Sequence, residues 1–305
     1  MTDKLKTTNP LLCDVETGMC EMPEVENAEN IAIDIASEKV KIIYFTDPIC
    51  SSCWGIEPQL RKLKLEYSKD VEIEYHMGGL LPDWSYNSGG ISKPSDVAHH
   101  WDEVSEYYDM PIDGDVWLED PLNSSYPSSI AFKAAQLQDK AKAMVFLREL
   151  RELLFLKKKN IAKWEYISEA AERANLNIDQ LKNDFEGKAK QLFEEDLQLA
   201  REYGVRGFPT LFFVQNGEIK DKIYGTKPYD LYESTIKKID NNLVKYEYPK
   251  SWESLFSKYK SLTAREFSEL SGTERSESEK VLNELFSQGK LDKIKTKNGS
   301  LWFLK

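Results

Sequence analysis

Two cysteines separated by two serines are the residues of this sequence best suited to chemistry. Cys50 and Cys53 follow an apolar run at 40–45, a predicted buried strand, and precede residues whose apolar positions recur at helical spacing. The pair therefore lies at a predicted turn from a strand into a helix. Because the first turn of a helix has unpaired N–H groups and the positive end of the dipole, this position is predicted to lower the pKa of the Cys50 thiol. A thiolate with a second thiol two residues on can attack a disulfide and then be released by its neighbour.

Cysteines at this spacing can also form half of a structural zinc site. The two other cysteines, Cys13 and Cys20, have six residues between them, whereas zinc sites usually have two to four. The histidines, His76, His99 and His100, form no ligand-like array. The sequence therefore favours dithiol chemistry, with no metal and no bound cofactor.

The charge balance and the apolar runs limit the classes of function. The 305 residues include 41 Lys and Arg against 52 Asp and Glu, a formal net charge of −11. Such a chain is predicted to repel nucleic acid and anionic membranes. No apolar run approaches the length of a membrane span, and the first residues lack a signal core. The chain has only four cysteines. Together these features predict a cytoplasmic protein whose thiols serve catalysis or redox sensing.

The elements around the cysteines form a recognisable order. A second strand is predicted at 71–77, and with the first strand and the helix it completes a βαβ unit. Residues 95–203 are predicted to be helical almost throughout. The predicted helical segments of this region are 94–108, 127–137, 141–158, 163–174, 178–185 and 188–203. Strand patterns return at 204–214 and 218–224 around an Asn216-Gly217 hairpin turn, and a helix at 227–241 follows.

Pro209 stands inside the strand pattern at 204–214. A proline cannot donate to a sheet ladder, so it must occupy the first position or the edge of a strand. If the Phe208–Pro209 bond is cis, residues 206–208 turn back and present backbone polar groups to a neighbouring site.

This order of elements resembles the DsbA-like family, a thioredoxin fold with a large helical insertion. Two motifs support the resemblance, Phe-Thr-Asp-Pro-Ile-Cys-Ser-Ser-Cys-Trp at 45–54 and Gly-Val-Arg-Gly-Phe-Pro-Thr at 204–210. Asp47 resembles the FrnE-type cytosolic branch. The Cys-Trp-x-x-Glu-Pro continuation is similar to bacterial adaptor proteins that deliver the Spx regulator to a protease.

The resemblance implies roles for several residues. Cys50 would be the attacking thiol, Cys53 the resolving thiol, and Pro209 a cis-proline packed against both. The residues implied to line a substrate groove are Pro209, Phe208, Thr210 and Trp54, although Trp54 also suits a packing role. The backbone of this groove would pair with an extended substrate segment. Ser51-Ser52 departs from the dipeptides common in the family, which leaves the redox potential open.

Three other candidates each have two interpretations. Asp47 is either catalytic, as a general base for the Cys53 proton through water, or the cap of the turn. A turn at Thr17-Gly18 could bring Cys13 and Cys20 together. They are either functional, as a second redox pair or a resolving thiol for Cys50, or incidental residues of an irregular tail. The incidental interpretation is favoured, because chain termini are usually loosely held.

The C-terminal residues form a separate small module. Its pattern predicts three helices and a β-hairpin around Asn298-Gly299, which resembles a winged helix. The predicted recognition helix and its lead-in, at 274–280, are acidic where phosphate contacts should lie. The positive charge lies instead in the hairpin, at Lys290, Lys293, Lys295 and Lys297. Dimerisation or docking of a partner is therefore favoured over DNA binding.

The sequence thus predicts an α/β protein, with a thioredoxin fold, a large all-helical insertion and a small C-terminal winged-helix-like domain. The predicted units are an N-terminal irregular segment at 1–38, a thioredoxin-like domain at 39–94 and 204–241, the helical insertion at 95–203, and the winged-helix-like module at 249–305.

Three functions fit this organisation. The leading hypothesis is a cytosolic thiol-disulfide oxidoreductase or isomerase that acts on protein or small-thiol disulfides. The alternative is an adaptor whose thioredoxin-like surface presents a regulatory protein to a protease. A third is a redox-controlled DNA-binding regulator. The expected partners are a disulfide substrate, a regulatory protein and a second copy bound through the C-terminal module, with no nucleic acid and no membrane.

Overall fold

The structure, a computed structural model, describes residues 39–85 and 92–305 and the backbone of residues 13–14 and 19–21. The strands are, in chain order, β1 (Cys13–Asp14), β2 (Met19–Glu21), β3 (Val40–Thr46), β4 (Val71–Met77), β5 (Gly207–Phe208), β6 (Thr210–Gln215), β7 (Glu218–Tyr224), β8 (Ser261–Thr263), β9 (Leu291–Thr296) and β10 (Gly299–Leu304).

The helices fall into three groups along the chain. Those of the thioredoxin-like part are α1 (Ser51–Gly55), α2 (Glu57–Glu66) and α10 (Tyr229–Ile239). Those of the insertion are α3 (Pro94–Tyr108), α4 (Val116–Glu119), α5 (Tyr126–Gln138), α6 (Lys140–Lys157), α7 (Trp164–Arg173), α8 (Ile178–Glu186) and α9 (Lys188–Glu202). Those of the C-terminal unit are α11 (Trp252–Lys258), α12 (Ala264–Ser271) and α13 (Arg275–Ser287).

A four-stranded sheet with the order β4-β3-β6-β7 forms the centre of the fold. β3 runs parallel to β4 and antiparallel to β6, and nearly all of its residues are buried, as its β-branched and aromatic composition predicted. Asn216 and Gly217 join β6 to β7 with φ angles of 53° and 76°, the left-handed geometry of a tight hairpin. The predicted thioredoxin fold with a helical insertion is confirmed.

The helix after the cysteines is broken in two. α1 ends at Gly55 and α2 begins at Glu57, with Pro58 in its first turn. Proline has no N–H and is tolerated in the first turn of a helix, so Pro58 starts a new helix. The short α1 therefore holds Cys53 and Trp54 in a single buried turn.

The helical insertion follows its sequence pattern closely. Each of the six predicted segments corresponds to one observed helix, with ends that agree to within one residue. The additional helix, α4, is a single turn, which is too short to show a helical period.

The C-terminal unit contains three helices, as predicted, and a three-stranded sheet with the order β8-β10-β9. The third strand, β8, lies beside the predicted hairpin. The unit has its own apolar core, whose members include Leu255, Leu262, Phe267, Leu282 and Trp302. It therefore has the three predicted helices and the predicted hairpin, with one short strand beside the hairpin.

A buried carboxylate joins the C-terminal unit to the rest of the protein. Glu266, on α12, is 0% exposed, and its two oxygens accept from Arg148 on α6 at 2.6 and 3.0 Å. Arg61, on α2, approaches the same carboxylate at 3.2 Å. Burial acts to raise the pKa of Glu266, but the charges of Arg148 and Arg61 outweigh it and hold the pKa below its ordinary value. One ionised group thus binds three parts of the chain together.

The hairpin of the C-terminal unit points into the helical insertion. Lys297 pairs with Asp102 and with Asp115, the latter at 3.1 Å. The Asn298 side chain donates to Asp102 at 2.7 Å and to the Ile112 carbonyl at 2.8 Å. The positive charge of Lys297, which the sequence placed in the hairpin, is therefore bound by carboxylates of the same chain.

The N-terminal segment is not irregular throughout, and the prediction for 1–38 is wrong at two places. β1 and β2 pair with each other antiparallel, and β2 pairs with β5. The strands are too short for a pattern, and their partner in the sheet lies far along the chain. The turn predicted at Thr17-Gly18 lies outside the described residues.

Among the described residues, no helix combines the length and the apolar character that crossing a bilayer requires.

Removal of the Glu266 carboxylate tests whether its ion pairs hold the C-terminal unit against α2 and α6. We expect Glu266→Ala to lower the free energy of unfolding by about 3–5 kcal/mol, because it leaves Arg148 and Arg61 buried without their shared partner. Glu277→Ala, on the exposed face of α13, is the matched control and should change it by less than about 0.5 kcal/mol. Urea unfolding of the full chain measures both, and equal effects of the two substitutions would contradict the assignment.

Candidate functional site

The two cysteines lie where the chain leaves β3 and enters α1. Cys50 is the N-cap residue of α1, and its sulfur accepts a hydrogen bond from the Cys53 amide at 3.1 Å. Each of the two cysteines is 0% exposed. The two cysteines are therefore placed as in a dithiol site at the start of a helix, but the protein encloses both of them.

Burial changes the acidity of the pair from what the sequence predicted. It raises the pKa of the Cys50 thiol well above its ordinary value, and the neighbouring Cys53 raises it further. Burial also acts to raise the pKa of Cys53, but a hydrogen bond from Cys50 and the charge of Arg151 outweigh it, and the pKa of Cys53 lies below its ordinary value. The expected low pKa of Cys50 is therefore wrong for this enclosed conformation, because loss of water outweighs the helix start.

Arg151 supplies a positive charge that acts on both thiols. It comes from α6 in the insertion and is 0% exposed. Its guanidinium donates to Glu57 at 2.5 Å, to the Thr46 hydroxyl at 2.8 Å and to the Asp47 carbonyl at 3.3 Å. Its charge favours the thiolate form of both cysteines. The insertion thus supplies the cation of the site.

The insertion also covers the short helix that holds the cysteines. The Tyr108 hydroxyl, at the end of α3, lies 2.8 Å from the Ser52 hydroxyl. A Cβ atom at Gly55 would lie only 2.6 Å from the Tyr108 ring, so glycine is required for this close packing. α1 is therefore held between the sheet and α3.

The Phe208–Pro209 peptide bond is cis. Thr210, the next residue, pairs with Phe45 in the strand that leads into the cysteine turn. The Phe208 ring packs against Gly78, where a Cβ atom would lie 1.7 Å from the ring. The Thr210 hydroxyl donates to the Gly207 carbonyl at 2.6 Å and braces the loop. The proline loop and the cysteine turn therefore meet at the same end of the sheet.

The residues implied to form the substrate groove are buried. The list comprises Pro209, Phe208, Thr210 and Trp54. Trp54 stacks on Phe155 with ring centroids 5.6 Å apart, lies under the Arg148 guanidinium and donates to the Pro111 carbonyl at 3.2 Å. These contacts favour the packing role that the sequence analysis left open for Trp54.

The Asp47 carboxylate accepts three hydrogen bonds from the protein itself. It accepts from the Ile49 amide at 3.0 Å, from the Leu80 amide at 2.8 Å and from the Ser125 hydroxyl at 2.9 Å. Burial raises its pKa to about 6, although these hydrogen bonds and Arg151 act in the other direction. The contacts support the capping interpretation, since they join the cysteine turn to the loop after β4 and to the start of α5.

Arg151 and Tyr108 are the residues of this site that sequence reasoning missed. Arg151 falls on the apolar face of α6, between Leu147 and Leu154 at helical spacing, and a charge in that position was a usable signal. Tyr108 carried no such signal, because its contact depends on how α3 folds back over α1. In the described part of the chain, no group of three His, Cys, Asp or Glu side chains comes together as a metal site would require.

Comparison with known proteins places this chain in a family. A thioredoxin family model matches residues 44–234. A ClpXP adapter protein SpxH from Halalkalibacterium halodurans is 34% identical over 303 residues, 96% of this chain and 97% of that protein. The ClpXP adapter protein SpxH of Bacillus subtilis is 30% identical over 86% of this chain and 88% of that protein.

Solved structures share the fold over a smaller part of the chain. A putative protein disulfide isomerase from Nitrosomonas europaea matches with a TM-score of 0.55 and 20% identity, over 67% of this chain and 97% of that one. The cytosolic disulfide reductase DsbM of Pseudomonas aeruginosa matches with a TM-score of 0.54 and 19% identity, over 65% of this chain and 99% of that one. At these identities the likeness concerns the fold alone. By its family match and its identity to relatives over nearly its whole length, this chain belongs to the thioredoxin family and, within it, to the SpxH family.

Proposed function

We propose that this protein is an adaptor that binds a regulatory protein and presents it to a protease of the ClpXP type. The relatives named as ClpXP adapters match the chain over nearly its full length, so the match takes in the C-terminal unit as well as the thioredoxin fold. This reverses the order of the sequence hypotheses, in which the adaptor stood second.

The observation that carries the proposal is the enclosure of the dithiol. Neither Cys50 nor Cys53 has exposed surface, and the groove residues around them are buried. A disulfide exchange enzyme must bring its attacking sulfur to an outside disulfide. An adaptor needs only a surface of fixed shape. The ion pairs of Glu266 help to provide it, because they bind the C-terminal unit to α2 and α6.

The DNA-binding hypothesis has no support from the contacts of the C-terminal unit. Lys297 is bound by Asp102 and Asp115, and Arg275, at the start of α13, pairs with Asp109 and Glu279. These cations are therefore already paired with carboxylates. The cytoplasmic location and the homodimer through the C-terminal module stay predictions.

Thiol-disulfide exchange remains a second candidate, on one specific observation. Cys50 caps α1, and the cation of Arg151 favours the thiolate of both cysteines. This arrangement suits exchange through Cys50 and Cys53 in a conformation that exposes them.

The double substitution Cys50→Ser/Cys53→Ser separates the two functions. For an adaptor, the variant should still accelerate degradation of an Spx-type regulator by ClpXP several-fold over the reaction without adaptor, as the wild-type chain should. The measurement is the loss of regulator with time in a purified system, with thermal unfolding of the variant as the control for folding. A folded variant that no longer stimulates degradation would contradict an adaptor role independent of the thiols.

Replacement of Arg151 tests the acidity of the dithiol. Because its charge favours the thiolates, Arg151→Gln should raise the pH at which they form by roughly one unit or more. The ultraviolet absorbance of thiolates against pH measures this, after subtraction of the Cys50→Ser/Cys53→Ser signal. Arg173→Gln, on the half-exposed side of the insertion, is the control and should leave the titration in place. An unchanged titration in Arg151→Gln would show that its charge does not act on the sulfurs.

A further inference from the structure

A short strand from the N-terminus pairs with the chain directly before the cis-proline, in a separate three-stranded sheet with the order β1-β2-β5. β2 pairs antiparallel with β5, with Cys20 opposite Phe208 and Glu21 opposite Gly207. β2 also contacts α1, the helix that begins at the dithiol. An extended peptide can bind by pairing its backbone with a strand that has an unpaired side. The chain therefore places one of its own segments on the backbone where an outside peptide would pair.

The register places the remaining cysteines of the protein in the small sheet beside Pro209. Cys20 is the partner of Phe208, the residue directly before Pro209, and Cys13 is the partner of Cys20 across the β1–β2 pair. Directly opposed residues in an antiparallel pair have Cα atoms about 4.5–5.5 Å apart. A disulfide spans Cα distances of about 4.4–6.8 Å. The backbone thus holds Cys13 and Cys20 at a separation that a disulfide can bridge.

The burial of the site fits a backbone before Pro209 that is already paired with β2. Phe208 and Pro209 are buried, and Cys50 and Cys53 are each 0% exposed. A site that exchanges disulfides with an outside substrate would instead be open to that substrate. The incidental interpretation does not account for the pairing of Cys13 with Cys20 and of Cys20 with Phe208.

We propose that Cys13 and Cys20 form the internal disulfide partner of Cys50 and Cys53, presented by the pairing of β2 with β5 beside Pro209. This inference rests on the thiol-disulfide exchange that stands as the second candidate function. In the exchange, the Cys50 thiolate attacks the Cys13–Cys20 disulfide and forms a bond to one of its sulfurs, and the other leaves as a thiolate that takes up a proton. Cys53 then loses its proton and attacks Cys50, which closes the Cys50–Cys53 disulfide and releases the second N-terminal thiol. Two electrons pass from the Cys50–Cys53 pair to the Cys13–Cys20 pair.

The oxidant for the N-terminal pair is a small-molecule disulfide of the glutathione class. It oxidises Cys13 and Cys20 by two successive exchanges and leaves as two thiols. The enclosed dithiol can then be oxidised without an outside disulfide entering the site.

A trapped intermediate tests the proposal in the full-length chain. Cys53→Ser removes the resolving thiol, so treatment with glutathione disulfide, followed by acid quenching and alkylation, should leave Cys50 bonded to an N-terminal cysteine. Cleavage after Glu16 separates Cys13 from Cys20, so peptide mapping without reduction identifies the partner. We expect Cys20, because it is aligned with the residue before Pro209. The yield should not depend on protein concentration, since the bond forms within one chain.

A pair of substitutions at one position tests the role of the strand. Glu21→Pro removes a backbone N–H from β2, whereas Glu21→Ala keeps it. In the Cys53→Ser background, Glu21→Pro should lower the yield of the internal bond by roughly fivefold, the effect of about one lost hydrogen bond, and Glu21→Ala should not. Equal yields in the two variants would overturn the role assigned to the strand.

The result that overturns the whole proposal is Cys50 bonded to glutathione, or to another chain, with no link to Cys13 or Cys20. Oxidation of Cys50 and Cys53 in wild-type protein by glutathione disulfide is followed separately by peptide mapping. If that oxidation occurs and the internal link is absent, the inference fails while the exchange chemistry stands. If the dithiol is never oxidised, the exchange chemistry itself fails.

Discussion

A network of buried charges on one face of α6 holds the three parts of this protein in place. Arg151 binds Glu57 beside the dithiol, and Arg148, one turn away, binds Glu266 of the C-terminal unit. Arg61 contacts both carboxylates, at 3.7 Å from Glu57 and 3.2 Å from Glu266. A buried charge is costly unless it is paired, so each of these groups depends on the others. The insertion, the thioredoxin-like part and the C-terminal unit are therefore fixed relative to one another by a few ion pairs.

The same network shapes the chemistry that the thiols can do. Because Arg151 belongs to the insertion and contacts the cysteine turn, the part of the chain that closes the site also supplies the charge that favours thiolates. Closure raises the pKa of Cys50 through burial, and the cation offsets part of that effect. While it is closed, a site of this kind reacts little with a disulfide from outside.

Patterns that are local in the sequence predicted most of the fold. The strand 40–45, the helical segments of the insertion and the Asn216-Gly217 turn each depend on neighbours within a few residues, and the structure has them at the expected places. The partners of Arg151, the pairing of β2 with β5 and the docking of Lys297 depend on residues far apart in the chain. No spacing within a short stretch encodes such contacts. For the site, the dithiol and the proline loop were identified from motifs, whereas its burial and its cation were not.

The central claim is that the native protein keeps its dithiol enclosed. Its most direct test is the rate at which a maleimide labels each cysteine of the reduced, full-length protein, with and without urea, read by peptide mapping. The account predicts that Cys50 and Cys53 react far more slowly in the native protein than in the unfolded chain. Labelling of the native dithiol at the rate of the unfolded chain would contradict it.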